Sequence, residues 1–269
     1  MQVYRDLEVL TARPGEADTA LVRHELYGVI GAGDAYSVGR YVADAAVHYK
    51  AAREAGAVAI FVGGTGLYFR GLLEGLSPVP AIDPAIRRKW RDAAAEDGGA
   101  ALHDALRVRD GEMARRLSPT DVQRLVRALE VIEGTGRSLD FWQRQPGTLV
   151  VAEQDTVKLV ADVDRAELYR RSDDRFRAMV KGGALFEVAR LQAMRLDPGL
   201  PIMRALGVRP LIAYIEGQCG LEEATVRAQT DTRHYIKRQL TWLRRNMILW
   251  KAIDLFDMKR NWALGDIFN

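Results

Sequence analysis

The chain has 269 residues, 48% of them hydrophobic, and 39 Lys or Arg against 36 Asp or Glu, a net charge of +3. That length and apolar content can bury a sizeable core, as one large domain or a domain with an insertion. A single cysteine, Cys219, excludes an internal disulfide, and no Cys/His cluster has zinc-ligand spacing. No run reaches the roughly 18 apolar residues of a membrane helix, and the opening MQVYR lacks the order of a signal peptide. A reducing, cytoplasmic setting with no membrane partner and no structural metal is expected.

The chain opens on MQVYRDLEVLTARP, with no strand or phosphate loop ahead of it. Parallel α/β sheets usually begin on a central strand that leads to the ligand, so the beginning reads as cut. Residues 57–62, AVAIFV, are a short apolar run bounded by glycines, which predicts a strand buried on both faces. Gly63, Gly64, Thr65 and Gly66 follow, and helical spacing resumes at Leu67, making half of a βα unit. From residue 77 to 146 the strand signal disappears and amphipathic helices take over, with Pro78, Pro80 and Pro84 near the start. This is read as a helical insertion.

Residues 156–163, TVKLVADV, restore the strand pattern. The next helix is predicted from Arg165 to Lys181, with Asp164 as its cap, Glu167 reciprocating, and Gly182 and Gly183 as its stop. From Ala184 to the end the chain reads as mostly helical, including one long helix from Leu221 to about Asn246. The expected organisation is an α/β core over 1–76 and 147–269, interrupted by a helical insertion over 77–146.

Three constellations carry chemistry. In GGTGLY, residues 63–68, the glycines let a ligand approach the backbone and Thr65 adds a hydroxyl, although turn geometry alone also explains them. No GxxxxGK(S/T) phosphate loop occurs anywhere. In residues 118–133, SPTDVQRLVRALEVIE, Thr120 and Gln123 are read as a capping box. Val122, Leu125, Val126, Leu129 and Ile132 form an apolar stripe there. Gln123, Arg124 and Arg127 then gather near the first turn, suited to gripping a nucleic-acid loop or simply to facing water.

The third constellation is TRHYIKRQLTWLRR, residues 232–245. Six Lys or Arg and no Asp or Glu lie between Arg233 and Lys251. Ile236, Leu240, Leu243 and Met247 make a core-facing stripe; Arg233, Lys237 and Arg244 lie beside it, and Arg238 and Arg245 form a second line near Tyr235 and Trp242. Cations next to aromatic rings bind phosphate and stack unpaired bases, whereas Trp242 as core is the plainer reading. Arg171 and Arg175, four residues apart after the second strand, suit a diphosphate or a salt bridge with Asp173 or Asp174. His24, His48, His103 and His234 have neither base nor metal spacing.

Taken in order, MQVYRDLEVLTARP, VGGTGLYFRGLLEGLSPVP, QRLVRALEVIEGTGRSL, MRALGVR and TRHYIKRQLTWLR resemble the motifs of the tRNA dimethylallyltransferase family over almost the whole chain. The resemblance implies a P-loop-NTPase-like parallel sheet core, here without its first strand and P-loop, carrying the helical insertion. It implies transfer of a dimethylallyl group from its diphosphate to N6 of an adenosine beside the anticodon, in tRNAs reading codons that begin with U. The base is flipped out to be reached, and Mg²⁺ assists departure of the diphosphate. The partners implied are the tRNA anticodon stem-loop and dimethylallyl diphosphate, with the chain acting as a monomer.

By the same resemblance, tRNA is contacted by Met1, Gln2, Thr65 and Arg87, by Gln123, Arg124, Leu125, Val126 and Arg127 of the insertion, and by Arg204, Ala205, Leu206, Gly207, Val208 and Arg209. Thr232, Arg233, His234, Tyr235, Ile236, Lys237 and Arg238 complete that set, and Arg175 matches a residue that holds the diphosphate. The family pattern begins further upstream, with GPTASGKS on a first strand and an Asp-Ser pair just before the position of Met1. That Asp is the family's general base, so no catalytic residue is assigned within the chain and little activity is expected of it. Smaller departures are Arg23-His24-Glu25-Leu26 for Pro-His-His-Leu, Gly28 for Asp, Arg13 for Lys and Val208 for Tyr.

Overall fold

Polar caps and apolar stripes set the helices of this chain, and the computed structural model describes them over residues 1–254. Two compact units result: Met1–Phe69 together with the chain from Ala152 on, and Arg70–Val151. The first begins with an extended stretch. Tyr4 bridges Ile30 in parallel, with Arg5 N–H donating to the Ile30 carbonyl and Ile30 N–H to that of Val3, both at 3.0 Å. Gly28 N–H donates to the Gln2 carbonyl at 2.9 Å. Gly28 has a φ of +64°, and a Cβ there would strike the Arg13 guanidinium, so glycine is the residue the backbone needs.

Helices α1 (Glu16–Leu21), α2 (Val38–Glu54) and α3 (Gly66–Leu73) follow, with Ser37 capping α2 by accepting from Arg40 N–H at 3.1 Å. The strand expected at 57–62 does not form. Val58, Ile60 and Val62 are 71%, 76% and 78% exposed. A strand exists only through a pairing partner, and among the described residues no strand runs beside this segment.

The second unit is helical throughout: α4 (Pro84–Glu96), α5 (Gly98–Arg109), α6 (Gly111–Arg116), α7 (Val122–Thr135) and α8 (Leu139–Gln143). Its core gathers Trp90, Leu102, Leu106, Met113, Leu117, Leu125, Leu129, Val131 and Leu139. The capping box expected from Thr120 and Gln123 is replaced by Asp121, whose carboxylate accepts from Arg124 N–H at 3.3 Å. Asp121 directly precedes the first helical residue, whereas Thr120 stands one place too early and bonds Ser118 instead. The ends of the unit meet where Val150 and Val151 N–H both donate to the Leu72 carbonyl at 3.1 Å, beside a close pass of Gly75 and Gly147.

Back in the first unit, β1 (Leu159–Asp162) pairs in parallel with β2 (Lys251–Asp254), Leu159 opposite Lys251. Helix α9 (Arg165–Met179) starts on Asp164, which accepts from Ala166 and Glu167 N–H at 2.8 and 3.1 Å. Glu167 does not reciprocate, because its carboxylate binds Arg170 and Arg171, each at 2.7 Å. The stop expected at Gly182 and Gly183 is found at Gly183, whose φ of 112° breaks the helical path within a wide turn over Val180–Ala184, and α10 (Leu185–Ala193) follows directly. Then come α11 (Val208–Ile215) and α12 (Leu221–Asn246), the latter on the expected bounds. Residues from α9 to α12 meet Val3, Tyr4, Leu7, Leu10 and Ile30 in one core. The part of the helical expectation that falls on 255–269 lies outside the described residues.

Candidate nucleic-acid interface

The glycine turn and the basic helix, far apart in sequence, meet in the first unit. Gln239 Nε2 of α12 donates to the Gly64 carbonyl at 2.8 Å, and the Trp242 ring lies against Gly66. A side chain at position 66 would overlap the Trp242 ring, so the close approach itself demands glycine there, whereas one at position 64 would meet only the movable amide end of Gln239. Thr65, held between them, is exposed. Beside the turn, Lys237, Arg238, Arg245, Trp242, His234, Thr241 and Asn246 line an open groove of about 620 Å³, with no acidic residue among the described residues of its wall. Tyr235 is also exposed, while Ile236 is half-buried and the Thr232 hydroxyl donates to the Ala228 carbonyl at 2.8 Å.

The two lines of cations foreseen on α12 have different fates. Arg238 and Arg245 do share the groove with Trp242. Arg233 is instead forked onto Asp173 of α9, with Nε and Nη2 at 3.2 and 2.7 Å. Arg244 lines a second groove, of about 450 Å³, with Asp162, Asp164, Arg165 and the apolar Leu240, Leu243 and Met247 at the carboxyl end of β1. Of the α9 arginines, Arg170 bonds Glu167 and Asp174, Arg171 bonds Glu167, Arg165 lies over the Tyr169 ring and Arg177 faces Glu222 at 4.0 Å; Arg175 is exposed to solvent.

Met1 is exposed, and Gln2 Nε2 donates to the Ala12 carbonyl at 2.8 Å. Within MRALGVR, Arg204 and Arg209 are exposed, Leu206 is half-buried, and Ala205, Gly207 and Val208 are buried. Gly207 adopts φ +89°, with Phe176 and Leu10 against the place a Cβ would take. In the second unit Gln123 and Arg124 stand exposed on the first turn of α7, Leu125 is fully buried and Val126 half-buried. Arg127 Nη1 lies 3.5 Å from Glu130, a carboxylate only 5% exposed that also faces Arg91 at 3.6 Å. Arg87 is half-buried, and its Nε is buried without a hydrogen-bond partner.

A tyrosine cluster went unforeseen. Tyr41 and Tyr68 stack with ring centroids 3.9 Å apart, and the Tyr36 hydroxyl donates to Asp44 at 2.8 Å with Arg40 over its ring. Burial pushes the Tyr41 phenol up to about 12; burial and then the Asp44 hydrogen bond push Tyr36 well above the ordinary phenol range. All stay neutral at physiological pH. Tyr68 belongs to GGTGLY and was the one available signal. Among the described residues no three His, Cys, Asp or Glu converge as metal ligands. None of the described helices is long and apolar enough to cross a membrane.

A family model described as IPP transferase matches residues 2–246. The chain is 46% identical over 247 residues to the tRNA dimethylallyltransferase of Chelativorans sp. (strain BNC1), covering 92% of this chain and 85% of that one. Its structure resembles the full-length tRNA isopentenylpyrophosphate transferase of Bacillus halodurans, at 28% identity and a TM-score of 0.64 over 96% and 81% of the two chains. It shares the fold of a eukaryotic dimethylallyltransferase acting on tRNA, at 23% identity and a TM-score of 0.81 over 97% and 67%. The fold is the mixed α/β, P-loop-like one of these transferases, here mostly helical around a small parallel sheet. A family model spanning residues 2–246 and a relative this similar over most of the chain make this protein a member of the IPP transferase family, enzymes known as tRNA dimethylallyltransferases.

Proposed function

We propose that the protein serves prenylation of tRNA: a dimethylallyl group passes from its diphosphate to N6 of the adenosine beside the anticodon, in tRNAs reading codons that begin with U. The N6–C1 bond forms as the C1–O bond to diphosphate breaks, and the N6 proton passes to a base. One observation carries the tRNA reading: α12 meets the glycine turn through Gln239 at Gly64 and Trp242 at Gly66, and the groove beside that meeting is lined by Lys237, Arg238, Arg245 and Trp242 with no acidic side chain among the described residues that line it. Lys237, Arg238 and Arg245 suit phosphates, and Trp242 and Tyr235 suit unpaired bases. Met1, Gln2, Thr65, Arg204, Arg209 and Thr232 are assigned to the same substrate, and Arg175 to the diphosphate. The insertion, residues 77–146, is assigned to the anticodon loop through Arg87, Gln123, Arg124 and Arg127. Mg²⁺ would arrive on the diphosphate oxygens, where such ions keep much of their water. A monomer in the cytoplasm fits this role.

The 269 residues contain no GxxxxGK(S/T) loop, and the resemblance supplies the general base from outside them. A second reading follows, in which this polypeptide by itself binds tRNA with little transfer. Gel-shift titration of an anticodon stem-loop at several salt concentrations, beside a prenyl-transfer assay, tests both. Arg127→Ala and Lys237→Ala each weaken binding and flatten its salt dependence. Unchanged affinity for both variants removes the tRNA assignment, and transfer at the rate of a complete relative removes the second reading.

A further inference from the structure

Nothing in that reaction uses Glu187, yet its carboxylate is placed with unusual care. The residue is 9% exposed, and its partners are backbone amides. Oε1 accepts from Glu8 N–H and Val9 N–H, both at 2.8 Å, and Oε2 from Leu10 N–H at 3.0 Å. Three successive amides converging on one anion make a concave nest, and such charge-assisted bonds are what allow a carboxylate to stay buried. The loop they belong to is gripped on its apolar side too, because Leu7 and Leu10 are buried in the core. Leu10 and Phe176 close on Gly207, at the centre of MRALGVR. Upstream, the same loop continues into residues 2–5, paired with 28–30.

We infer that Glu187 is a positioning residue for tRNA binding. By fixing the 8–10 loop it holds two segments in register: Gln2 on one side, Arg204 and Arg209 on the other. The inference rests on the tRNA reading above. A carboxylate is required because all three bonds need acceptors; in Glu187→Gln one oxygen still receives Glu8 and Val9, but an amide N–H₂ then faces the Leu10 N–H.

Affinity of the full chain for an anticodon stem-loop, measured by gel shift, tests it alongside hydrogen exchange of residues 8–10. Glu187→Gln should speed exchange at Leu10 and weaken binding about tenfold. Gln2→Ala should weaken binding in the wild-type chain but add nothing in Glu187→Gln, since its contact has already been lost; a Gln2→Ala chain that binds as wild type overturns the inference. A merely structural anchor gives a different pattern: affinity within about twofold of wild type, or losses that multiply in the double variant, and either overturns the inference. Should Glu187→Gln fail to fold, Glu187→Asp, which keeps the charge one methylene short, is judged by the same two outcomes. Lys237→Ala separates the failures. If it weakens binding while the Glu187 variants do not, this inference alone falls; if no chain binds, the tRNA reading falls with it.

Discussion

Replacing Gly66 by alanine should reverse the sign that helix propensity alone assigns to the change. In a helix, Ala is normally favoured over Gly by up to about 1 kcal/mol. Here the added Cβ would fall well inside 3.0 Å of Cζ3, Cη2 and Cε3 of the Trp242 ring. The indole is stiff and sits on α12, whose Gln239 is itself bonded to the Gly64 carbonyl. Relief therefore requires Trp242 to leave its rotamer or α3 to shift, and overpacking of this kind costs about 1–3 kcal/mol. The net expectation is destabilisation of about 1–2 kcal/mol. Urea unfolding of wild type, Gly66→Ala, Trp242→Ala and the double variant measures it. With the ring gone, alanine at 66 should be neutral or stabilising, a coupling of about 2 kcal/mol. The single variant should also bind tRNA less well, because the displaced indole lines the groove. A stabilised Gly66→Ala chain, or a cycle whose effects simply add, refutes the close approach of the turn to α12.

In the second unit, a Cβ on Gly147 would come 2.7 Å from backbone atoms of Gly75 and Leu76. Gly147→Ala should cost about 2 kcal/mol or more, read as a lower urea midpoint, and an unaltered midpoint discounts the pinch between the unit's ends. Glu167, hydrogen-bonded by Arg170 and then Arg171, has its carboxyl held down to about 2. A depressed acid stabilises above its ordinary value of 4.5 and loses that contribution as pH falls toward 2. The stability gap between wild type and Glu167→Gln, followed by thermal melts, should thus be constant above pH 4.5 and close on acidification; a gap unchanged at pH 2 contradicts the assignment. Asp173→Asn removes a partly buried, forked partner of Arg233 and should cost about 1 kcal/mol after allowance for solvent screening. An unchanged melting temperature would show that the fork does not hold α9 on α12.

Local signals were legible in the sequence wherever a short stretch of chain decides the outcome. Asp164 caps α9 as expected because the residue before a helix needs only its own carboxylate and two amides nearby. The bounds of α12 were readable for the same reason, since 26 residues hold no proline or interior glycine and start directly after Gly220. Thr120 failed by one residue, because Thr and Asp both cap well and only the path of the turn decides between Thr120 and Asp121. Residues 57–62 failed for a deeper reason: apolar β-formers state a preference, but a strand is made by what pairs with it, and that is information the segment does not contain.

The candidate site divides along the same line. Basic residues and aromatics at helical spacing announced α12 as a cationic face, yet periodicity treats Arg233, Lys237 and Arg244 as equivalent. Their fates differ because of groups distant in sequence, Asp173 for Arg233 and the end of β1 for Arg244. GGTGLY was ambiguous between ligand approach and turn geometry, and the answer at Gly66 came from a third source, the side chain of Trp242. Glu187 was silent altogether: a lone glutamate in a helix has no pattern, and its partners are backbone amides 177 to 179 residues away. Side-chain periodicity can find the face a ligand meets. It cannot find a residue whose only work is to hold another segment's backbone, and such residues are where variants with no contact to tRNA are expected to change its binding.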